Sequence, residues 1–346
     1  MINIVLTLVI GLLCGYIFYK IKVPGGMMIG AIIGVALFNI FLNMAYMPSY
    51  AKYTAQIIAG AYIGSTVQKE DIKEIKKLIK PSLVLVIGML LTNISVGFIV
   101  YFISPLDLIT SLMSCVPGGM SEIPMISADM GADMPKVAVL QFIRMLACIG
   151  LLPSIISHID HKNYEVEKKT VVLSQEGNHG LNIKKFIFTV AIAVSGGIVG
   201  KFLGIPAGIL LFSMIGTIYI NIFLNKAYMP LWAKRLAQVL SGAFIGCSID
   251  YKNVLELKYI IIPSMIIVLG YFINCFVVGK ILNKAFKIPI KESMLAATPA
   301  GATDMALISS DIGVYSTDLV VLQIVRLITV ISIFPQVIYF ISRWFS

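Results

Sequence analysis

Residues 117–123 read Pro-Gly-Gly-Met-Ser-Glu-Ile and interrupt a long apolar segment with a proline, two glycines and an acid. The pattern recurs 182 positions later, where residues 299–305 read Pro-Ala-Gly-Ala-Thr-Asp-Met. Proline removes a backbone donor and glycine loosens a helix, so a helix is expected to break at both places. Inside a bilayer, protein, water or a bound ion must satisfy the freed backbone groups. A duplicated break that carries an acid therefore indicates a functional site in a membrane protein.

The composition favours a chain that crosses a membrane several times. Of the 346 residues, 58% are hydrophobic and only 13% are charged, whereas charged residues make up about a quarter of soluble domains. Ten apolar runs are long enough to cross a bilayer, at about 3–20, 26–46, 51–67, 81–103 and 137–157, and again at about 186–203, 207–225, 233–249, 262–283 and 318–341. Two further runs, about 107–132 and 289–314, contain the breaks. Each of these is either one broken span or a pair of half-helices that turns back.

Charge and cysteine usage narrow the possible partners. The net charge is +10, but most Lys and Arg residues lie in short loops between apolar runs, as in the cytoplasmic loops of membrane proteins. We therefore expect the lipid bilayer, and not nucleic acid, as the partner of this chain. The five cysteines lie singly in apolar runs, which indicates small buried side chains and neither disulfides nor a metal site. No Lys or Arg precedes Lys20, so the first apolar run is expected to remain as a membrane span.

The chain is internally duplicated. Residues 39–48 and 221–230 agree at nine of ten positions, and the same separation of 182 also relates Pro24 to Pro206 and Pro153 to Pro335. A constant separation over this range means that the two halves share one fold with almost no insertions. We divide the chain into a first repeat, 1–158, a polar linker, 159–184, and a second repeat, 185–346.

The direction of the second repeat depends on whether the interrupted run crosses the bilayer. With six crossings per repeat, Lys and Arg divide almost evenly between the two faces. With five crossings and a segment that turns back, the second repeat is inverted, and one face holds 19 Lys and Arg residues against six on the other. The positive-inside tendency favours the second arrangement. We predict an all-α polytopic membrane protein of two inverted repeats, each with five transmembrane helices and one re-entrant hairpin, with both termini outside and the linker in the cytoplasm.

The chemistry is expected at the breaks. Glu122 and Asp304 are acids in apolar sequence, where a carboxyl group must be neutralised by a cation or by a proton, so each suits binding of a coupling Na⁺ or carriage of H⁺. The alternatives are a simple proline kink and a structural ion bridge to an arginine. No other cofactor is expected. The candidate binding residues are Pro117, Gly118, Gly119, Ser121, Glu122, Gln141 and Arg144 in the first repeat, and Pro299, Gly301, Thr303, Asp304, Gln323 and Arg326 in the second.

Gln141 and Arg144 lie three positions apart and so share one face of a helix, as do Gln323 and Arg326. Arg144 is about 12 Å into its predicted span, too deep to reach the interface easily. Each arginine is therefore expected to pair with an acid of the break or to face an anionic solute.

Four further polar residues are secondary candidates. Asn93 and Asn274 lie in the fourth span of each repeat, where hydrogen bonding between helices and a role in the site are equally plausible. Asp129 and Asp311 fall near the ends of the interrupted segments, where we expect a helix cap or a turn.

The breaks, with Leu140-Gln141-x-x-Arg144 and Leu322-Gln323-x-x-Arg326 after them, resemble the AbrB-type duplicated membrane proteins of bacteria over nearly the whole chain. The resemblance implies a protein of the bacterial inner membrane, in the broad group of transporters built from inverted repeats. Members of the family are variously labelled regulators of transcription, ammonia monooxygenases or transporters. Ala300 stands where the first repeat has Gly118, which leaves symmetric roles for the two breaks in doubt.

Three functions from different classes follow. The first is a secondary transporter of a small anionic or zwitterionic solute, coupled to Na⁺ or H⁺, which moves a hairpin-bearing bundle against a scaffold. The second is a membrane sensor that binds a ligand at the same site and affects gene expression indirectly. The third is an enzyme, which we do not expect, because no nucleophile or metal motif accompanies the acids and the three histidines lie around the linker. A homodimer is compatible with the first reading.

Overall fold

A computed structural model describes residues 2–158, 183–299 and 316–345. The linker from 159 to 182 and the second break, with Gly301, Thr303, Asp304 and Asp311, lie outside these residues. All regular structure in the described part of the chain is helical. The first repeat contains α1 (Ile2–Lys20), α2 (Gly26–Leu42), α3 (Ser49–Thr66), α4 (Lys69–Ile103), α5 (Leu108–Ser114), α6 (Glu122–Asp129) and α7 (Met134–His158). The second contains α8 (Ile183–Phe202), α9 (Gly208–Leu224), α10 (Leu231–Cys247), α11 (Tyr251–Glu256), α12 (Ile261–Phe286), α13 (Ile290–Ala297) and α14 (Thr317–Phe345).

Each of the ten predicted apolar runs lies on a helix, which confirms an all-helical fold. In the described residues, six helical segments are long and apolar enough to cross a bilayer, and α2 and α9 are apolar but shorter, at 17 residues each. Large apolar side chains such as Phe41, Phe102 and Phe202 are more than three-quarters exposed. Such exposure is expected of side chains that meet lipid. The chain is a multi-pass membrane protein.

The fourth helices of the two repeats begin differently. We expected a span from about residue 81, but α4 starts at Lys69, where the side chain of Asp71 accepts a hydrogen bond from the backbone N–H of Gln68 at 2.8 Å. This capping box starts the helix 12 residues early, and Pro81 lies inside it. In the second repeat, α11 and a 3₁₀ turn over Leu257–Ile260 precede α12.

The helices pack into two bodies. The first three helices of each repeat, α1, α2, α3, α8, α9 and α10, pack against one another and form the six-helix layer. The remaining long helices and the interrupted segments, α4 to α7 and α12 to α14, form the hairpin bundle. Each body therefore contains equivalent helices from both repeats, and the break lies in the second body.

Glycines allow helices of the two repeats to approach closely within the six-helix layer. A Cβ atom added to Gly60 on α3 would lie 2.6 Å from the carbonyl oxygen of Leu210 on α9. The equivalent residues make the same crossing with the two repeats exchanged. A Cβ atom added to Gly242 on α10 would lie 2.5 Å from the carbonyl oxygen of Met28 on α2. No larger residue fits at either crossing without moving the backbone of its neighbour.

The duplicated Asn-Ile-Phe-Leu-Asn segment holds the same layer together. The side-chain amide of Asn39 donates to the carbonyl oxygens of Cys247 and Ile249 beyond the end of α10, at 3.2 and 3.1 Å. Asn221, its equivalent, donates to the carbonyl oxygens of Ser65 and Val67 at the end of α3, at 3.1 and 2.7 Å. Each repeat thus satisfies the open carbonyl groups at a helix end of the other repeat.

Candidate functional site

The first interrupted segment turns back on itself. We call α5, residues 115–121 and α6 hairpin 1. The side chain of Asp107 caps α5 by accepting from the backbone N–H of Thr110 at 3.0 Å. The hydroxyl of Thr110 accepts from the backbone N–H of Asp133 at 2.8 Å, so the chain that enters α5 lies beside the chain that leaves α6. The two ends of the segment are neighbours.

Gln141 on α7 holds the open end of α5. Its side-chain amide donates to the carbonyl oxygens of Met113, Ser114 and Val116, at 3.2, 3.1 and 3.0 Å. Backbone N–H groups in the turn after α5 also donate to two of these oxygens, from Val116 to Met113 at 3.2 Å and from Gly118 to Val116 at 2.9 Å, so Gln141 reinforces the end of α5. Gln141 is completely buried, so its contacts replace hydrogen bonds that water makes at an exposed helix end.

Arg144 extends this arrangement one turn further along α7. One terminal nitrogen donates to the carbonyl oxygen of Val116, and the other lies 3.4 Å from that of Gly118 and 2.6 Å from Oε1 of Gln141. The guanidinium group is also 5.5 Å from the ring centroid of Tyr271. The partial negative charge at the end of α5 and the face of an aromatic ring both favour a cation here.

Two residues from other helices complete the set. The amide of Asn93 on α4 donates to the carbonyl oxygen of Leu112 at 2.9 Å, and the hydroxyl of Tyr271 on α12 donates to that of Cys115. Every carbonyl oxygen from Leu112 to Val116 therefore accepts a hydrogen bond from a buried side chain. The break leaves no open carbonyl group along this stretch.

Of the partners expected for Arg144, Glu122 makes no contact with it in the described part of the chain. The terminal nitrogens of Arg144 are occupied by carbonyl oxygens and by Gln141, and none contacts Glu122. The carboxylate of Glu122 instead accepts from the hydroxyl of Ser121 at 2.8 Å. A buried cation needs hydrogen-bond acceptors, and the end of α5 supplies them without a carboxylate.

The two glycines of the break have different surroundings. A Cβ atom added to Gly119 would overlap Oε2 of Glu122, so the carboxylate folds against the glycine. A Cβ atom added to Gly118 would lie 2.6 Å from Cγ1 and Cδ1 of Ile123, which is completely buried. Pro117 and Ser121 are buried, and Glu122 is half-buried. A side chain at Gly119 therefore displaces a half-buried carboxylate, whereas one at Gly118 crowds the buried core.

The second repeat holds the end of α13 with the same two residue types. The amide of Gln323 donates to the carbonyl oxygen of Leu295 at 2.9 Å. Arg326 donates to that of Ala296 at 3.2 Å and to that of Thr298. The side chains of Gln323 and Arg326 are buried, and so is Pro299, which follows the end of α13. The predicted Gln-x-x-Arg pairs thus cap helix ends.

Asn93 and Asn274 do not occupy equivalent positions of the two repeats, and the equivalent of Asn93 is Cys275, which was not among the candidates. The sulfur of Cys275, which is 182 positions after Asn93, donates to the carbonyl oxygen of Met294 at 3.3 Å. The side-chain nitrogen of Asn274 lies 3.5 Å from the carbonyl oxygen of Ala297. Its side-chain oxygen accepts a hydrogen bond at 3.0 Å from the hydroxyl of Thr92, which is the equivalent of Asn274 in the first repeat. Both asparagines therefore make hydrogen bonds between helices.

Asp129 is the last residue of α6 and directly precedes the turn at Met130 and Gly131, so of the two expected roles, a helix cap or a turn, its position fits the turn. Its carboxylate lies 2.6 Å from the ammonium group of Lys52 and accepts from the amide of Gln56 at 2.7 Å. Both partners belong to α3 in the six-helix layer. Sequence reasoning missed them, although Lys234 and Gln238 repeat them 182 positions later.

Comparison with known proteins agrees with this architecture. The model of a family described as "Transition state regulatory protein AbrB" matches residues 1–160 and again residues 81–342. A protein of Escherichia coli (strain K12) named "Putative regulator AbrB" is 23% identical over 337 residues, which are 97% of this chain and 95% of that protein. A Bacillus subtilis (strain 168) protein named "Uncharacterized protein YhjN" is 26% identical over 291 residues, 81% of this chain and 76% of that protein. Since the family model matches most of the chain, this protein belongs to the AbrB family.

Proposed function

We propose that this protein is a secondary transporter of a small anionic or zwitterionic solute, coupled to Na⁺ or H⁺, which moves the solute without converting it chemically. The observation that carries the proposal is the hairpin in the middle of an apolar bundle, with one helix end fully capped by side chains and a half-buried acid at the start of the next helix. Interrupted helices of this kind bind solutes near the membrane midplane in many transporters.

The capped carbonyl groups limit which groups of the site can bind a cation. Gln141, Arg144 and Tyr271 occupy the carbonyl oxygens at the end of α5, so these oxygens are not free to coordinate a cation. Within residues 2–158, 183–299 and 316–345, the carboxylate of Glu122 has one hydrogen-bond partner, the hydroxyl of Ser121. We assign the coupling proton or Na⁺, or the ammonium group of a zwitterionic solute, to Glu122.

The negative group of the solute is assigned to the start of α6. The backbone N–H groups of Gly119, Met120 and Ser121 lie in the turn that leads into α6. They have no acceptor among the described residues. Donors beside a carboxylate suit a solute that carries both charges, such as an amino acid.

Two sets of contacts support inverted repeats. Gly88 on α4 packs against Val278 on α12, and Gly270 on α12 packs against Val96 on α4. Val278 is the equivalent of Val96, and Gly270 is the equivalent of Gly88, so the two contacts join the same pair of equivalent positions. Since Gly88 precedes Val96 on α4 while their partners Val278 and Gly270 follow the opposite order on α12, the two helices are antiparallel. Antiparallel equivalents are what an inverted repeat requires, and an odd number of spans in each repeat produces them.

The neighbouring ends of hairpin 1 support a segment that enters the membrane and returns to the same face. With five spans in each repeat, the loops rich in Lys and Arg share one face. We infer an inner-membrane protein with both termini outside, the linker in the cytoplasm, and a hairpin bundle that moves against the six-helix layer.

Labelling single cysteines in a cysteine-free background tests this topology. We expect positions 72 and 284 to react from the cytoplasm, and positions 107 and 254 from outside. Positions 72 and 254 are equivalent in the two repeats. Reaction of both from one face would contradict inversion.

Flux in proteoliposomes tests transport. A panel of labelled carboxylates and amino acids is offered with and without gradients of Na⁺ and H⁺. We expect gradient-driven uptake of at least one solute, loss of uptake in Glu122→Gln, and normal uptake in the control Glu74→Gln, whose carboxylate pairs with the exposed Lys77 at 3.0 Å.

A sensor is the second candidate, and the word "regulator" in the name of the Escherichia coli relative favours it. A solute that raises the melting temperature but crosses the membrane under no gradient would contradict transport and support a sensor.

A further inference from the structure

The ion pair of Lys52 and Asp129 connects the two bodies of the protein. Lys52 and Gln56 belong to α3 in the six-helix layer, whereas Asp129 is the last residue of α6 in hairpin 1. The ammonium group of Lys52 lies 2.6 Å from one carboxylate oxygen of Asp129, and the amide of Gln56 donates to the other at 2.7 Å. By contrast, the ion pair of Lys77 with Glu74 lies within a single helix.

Lys52 is buried, so its positive charge depends on the carboxylate of Asp129 for compensation. Lys52 is 8% exposed, and its ammonium group lies 5.5 Å from the ring centroid of Tyr53 and 5.7 Å from that of Phe244. Two aromatic faces stabilise a cation only partly, so the carboxylate supplies most of the compensation. Separation of α6 from α3 leaves both charged groups to be compensated by water.

The same face of α6 carries the acid of the proposed site. Glu122, Met125 and Asp129 follow the three- and four-residue spacing that places side chains on one face of a helix. The sulfur of Met125 accepts from the hydroxyl of Ser241 on α10 at 3.0 Å. This face therefore rests on α3 and α10, with Glu122 at one end and the ion pair at the other.

The contact is incompletely satisfied. Gln56 is completely buried, but its side-chain oxygen has no hydrogen-bond donor in the described part of the chain. A buried acceptor without a donor weakens the closed contact. In the second repeat, the equivalents Lys234 and Gln238 are only half-buried. The two matching places on the six-helix layer are thus covered to different extents.

We propose that Lys52, Gln56 and Asp129 form a latch that holds hairpin 1 against the six-helix layer and opens when the hairpin bundle moves. The latch as a contact is independent of any solute, whereas its opening in each cycle rests on the proposed transport. Lys52 and Gln56 are positioning residues in this proposal, because they fix the place of α6 and hence of Glu122.

Removal of one charge is expected to open the latch. Asp129→Asn leaves the buried charge of Lys52 without its carboxylate in the closed arrangement, and that charge becomes hydrated when α6 separates from α3. Lys52→Met removes the attraction that holds Asp129, whose carboxylate is already partly exposed. The readout is the thiol introduced by Ser241→Cys in a background with the five native cysteines replaced by serine. Ser241 is completely buried beside Met125, so its alkylation by N-ethylmaleimide reports separation of α6 from α10.

We expect Lys52→Met and Asp129→Asn each to raise the alkylation rate by about tenfold, which corresponds to about 1.4 kcal/mol. The exchange Lys52→Asp with Asp129→Lys should return the rate toward its original value. Gln56→Leu, which removes only the neutral contact, should give a smaller rise and remains informative if the charge variants do not fold. The matched control is Lys136→Gln, which breaks ion pairs of 2.8 and 2.7 Å to Asp133 and Glu256 outside this interface, and it should leave the rate unchanged.

Unchanged alkylation in Lys52→Met, Asp129→Asn and Gln56→Leu, or an equal rise in Lys136→Gln, would overturn the latch. The assay needs no solute, so it separates this proposal from transport. Flux without a response in alkylation refutes the latch alone. A response in alkylation without flux of any solute refutes transport and leaves the latch as a contact between the two bodies.

Discussion

The ends of α5 and α13 occupy equivalent places in the two repeats, but different side chains cap them. A Gln-x-x-Arg pair serves both, through Gln141 and Arg144 at one end and Gln323 and Arg326 at the other. The remaining donors differ between the ends. The comparison indicates that the glutamine and arginine are essential to the fold of the break, and that any buried donor of suitable reach can fill the other places.

The end of α5 is held more firmly than the end of α13. Tyr271 donates a hydroxyl hydrogen bond to the carbonyl oxygen of Cys115, whereas the equivalent oxygen, that of Ala297, lies 3.5 Å from the amide of Asn274. The position equivalent to Tyr271 is Met89, a buried residue without a donor. Among the described residues, the two helix ends therefore share the Gln-x-x-Arg pair but differ in the strength of their other hydrogen bonds.

The largest effect is expected at the arginines. Arg144→Met removes the donor to the carbonyl oxygen of Gly118 and to Oε1 of Gln141, and one of the donors to the carbonyl oxygen of Val116, and we expect a loss of about 3 kcal/mol in the free energy of unfolding. Thermal melting of the purified protein measures it. Arg326→Met should lose a similar amount, because its contact with Thr298 is equivalent to that of Arg144 with Val116.

A second variant separates capping from an ion bridge. If Arg144 acts as a cap, adding Glu122→Gln to Arg144→Met restores no stability. Recovery of the melting temperature in that double variant would show that the arginine serves as the counterion of the acid, contrary to its contacts here.

Glycine substitutions should show the next largest effect. Gly118→Ala brings a Cβ atom within 2.6 Å of Cγ1 and Cδ1 of the completely buried Ile123, and we expect a loss of about 2 kcal/mol. Gly119→Ala displaces Oε2 of the half-buried Glu122, which can rotate away, so it should cost less stability but abolish flux. Equal melting temperatures for the two variants would show that burial of Ile123 does not distinguish the two glycines.

Tyr271→Phe tests the difference between the two helix ends directly. The substitution keeps the ring beside Arg144 but removes the donor to Cys115, and we expect a loss of about 1 kcal/mol. Met89→Leu at the equivalent position should change the melting temperature much less, because no hydrogen bond is lost. Equal effects would remove the distinction between the ends.

The smallest effect is expected for the pair of Asn93 and Cys275. Both side chains donate to equivalent carbonyl oxygens, but a thiol is a weak donor. Asn93→Ala should therefore lower the stability by about 1 kcal/mol, and Cys275→Ala by a few tenths. Comparison of the two melting temperatures measures this difference, and a larger loss for Cys275→Ala would reverse the order of strength proposed here.

The predictable features were those encoded locally. The apolar runs indicated the helices, and proline with glycine indicated the break after α5. The start of α4 was missed because a capping box, not hydrophobicity, sets it. The role of Arg144 was missed because charge suggested an acid as its partner, whereas a helix end offered closer acceptors.

The amino-acid sequence alone determined the helical class, the duplication and the places of the breaks, because these depend on hydrophobicity, on proline and glycine, and on matches at a fixed separation. Only the tertiary structure decided which side chains meet at those breaks. Tyr271 reaches Cys115 across 156 positions of the chain, and Lys52 reaches Asp129 across 77. Every buried carbonyl group and charge needs a partner, but many donors in an apolar sequence qualify, and the packing of the helices selects among them.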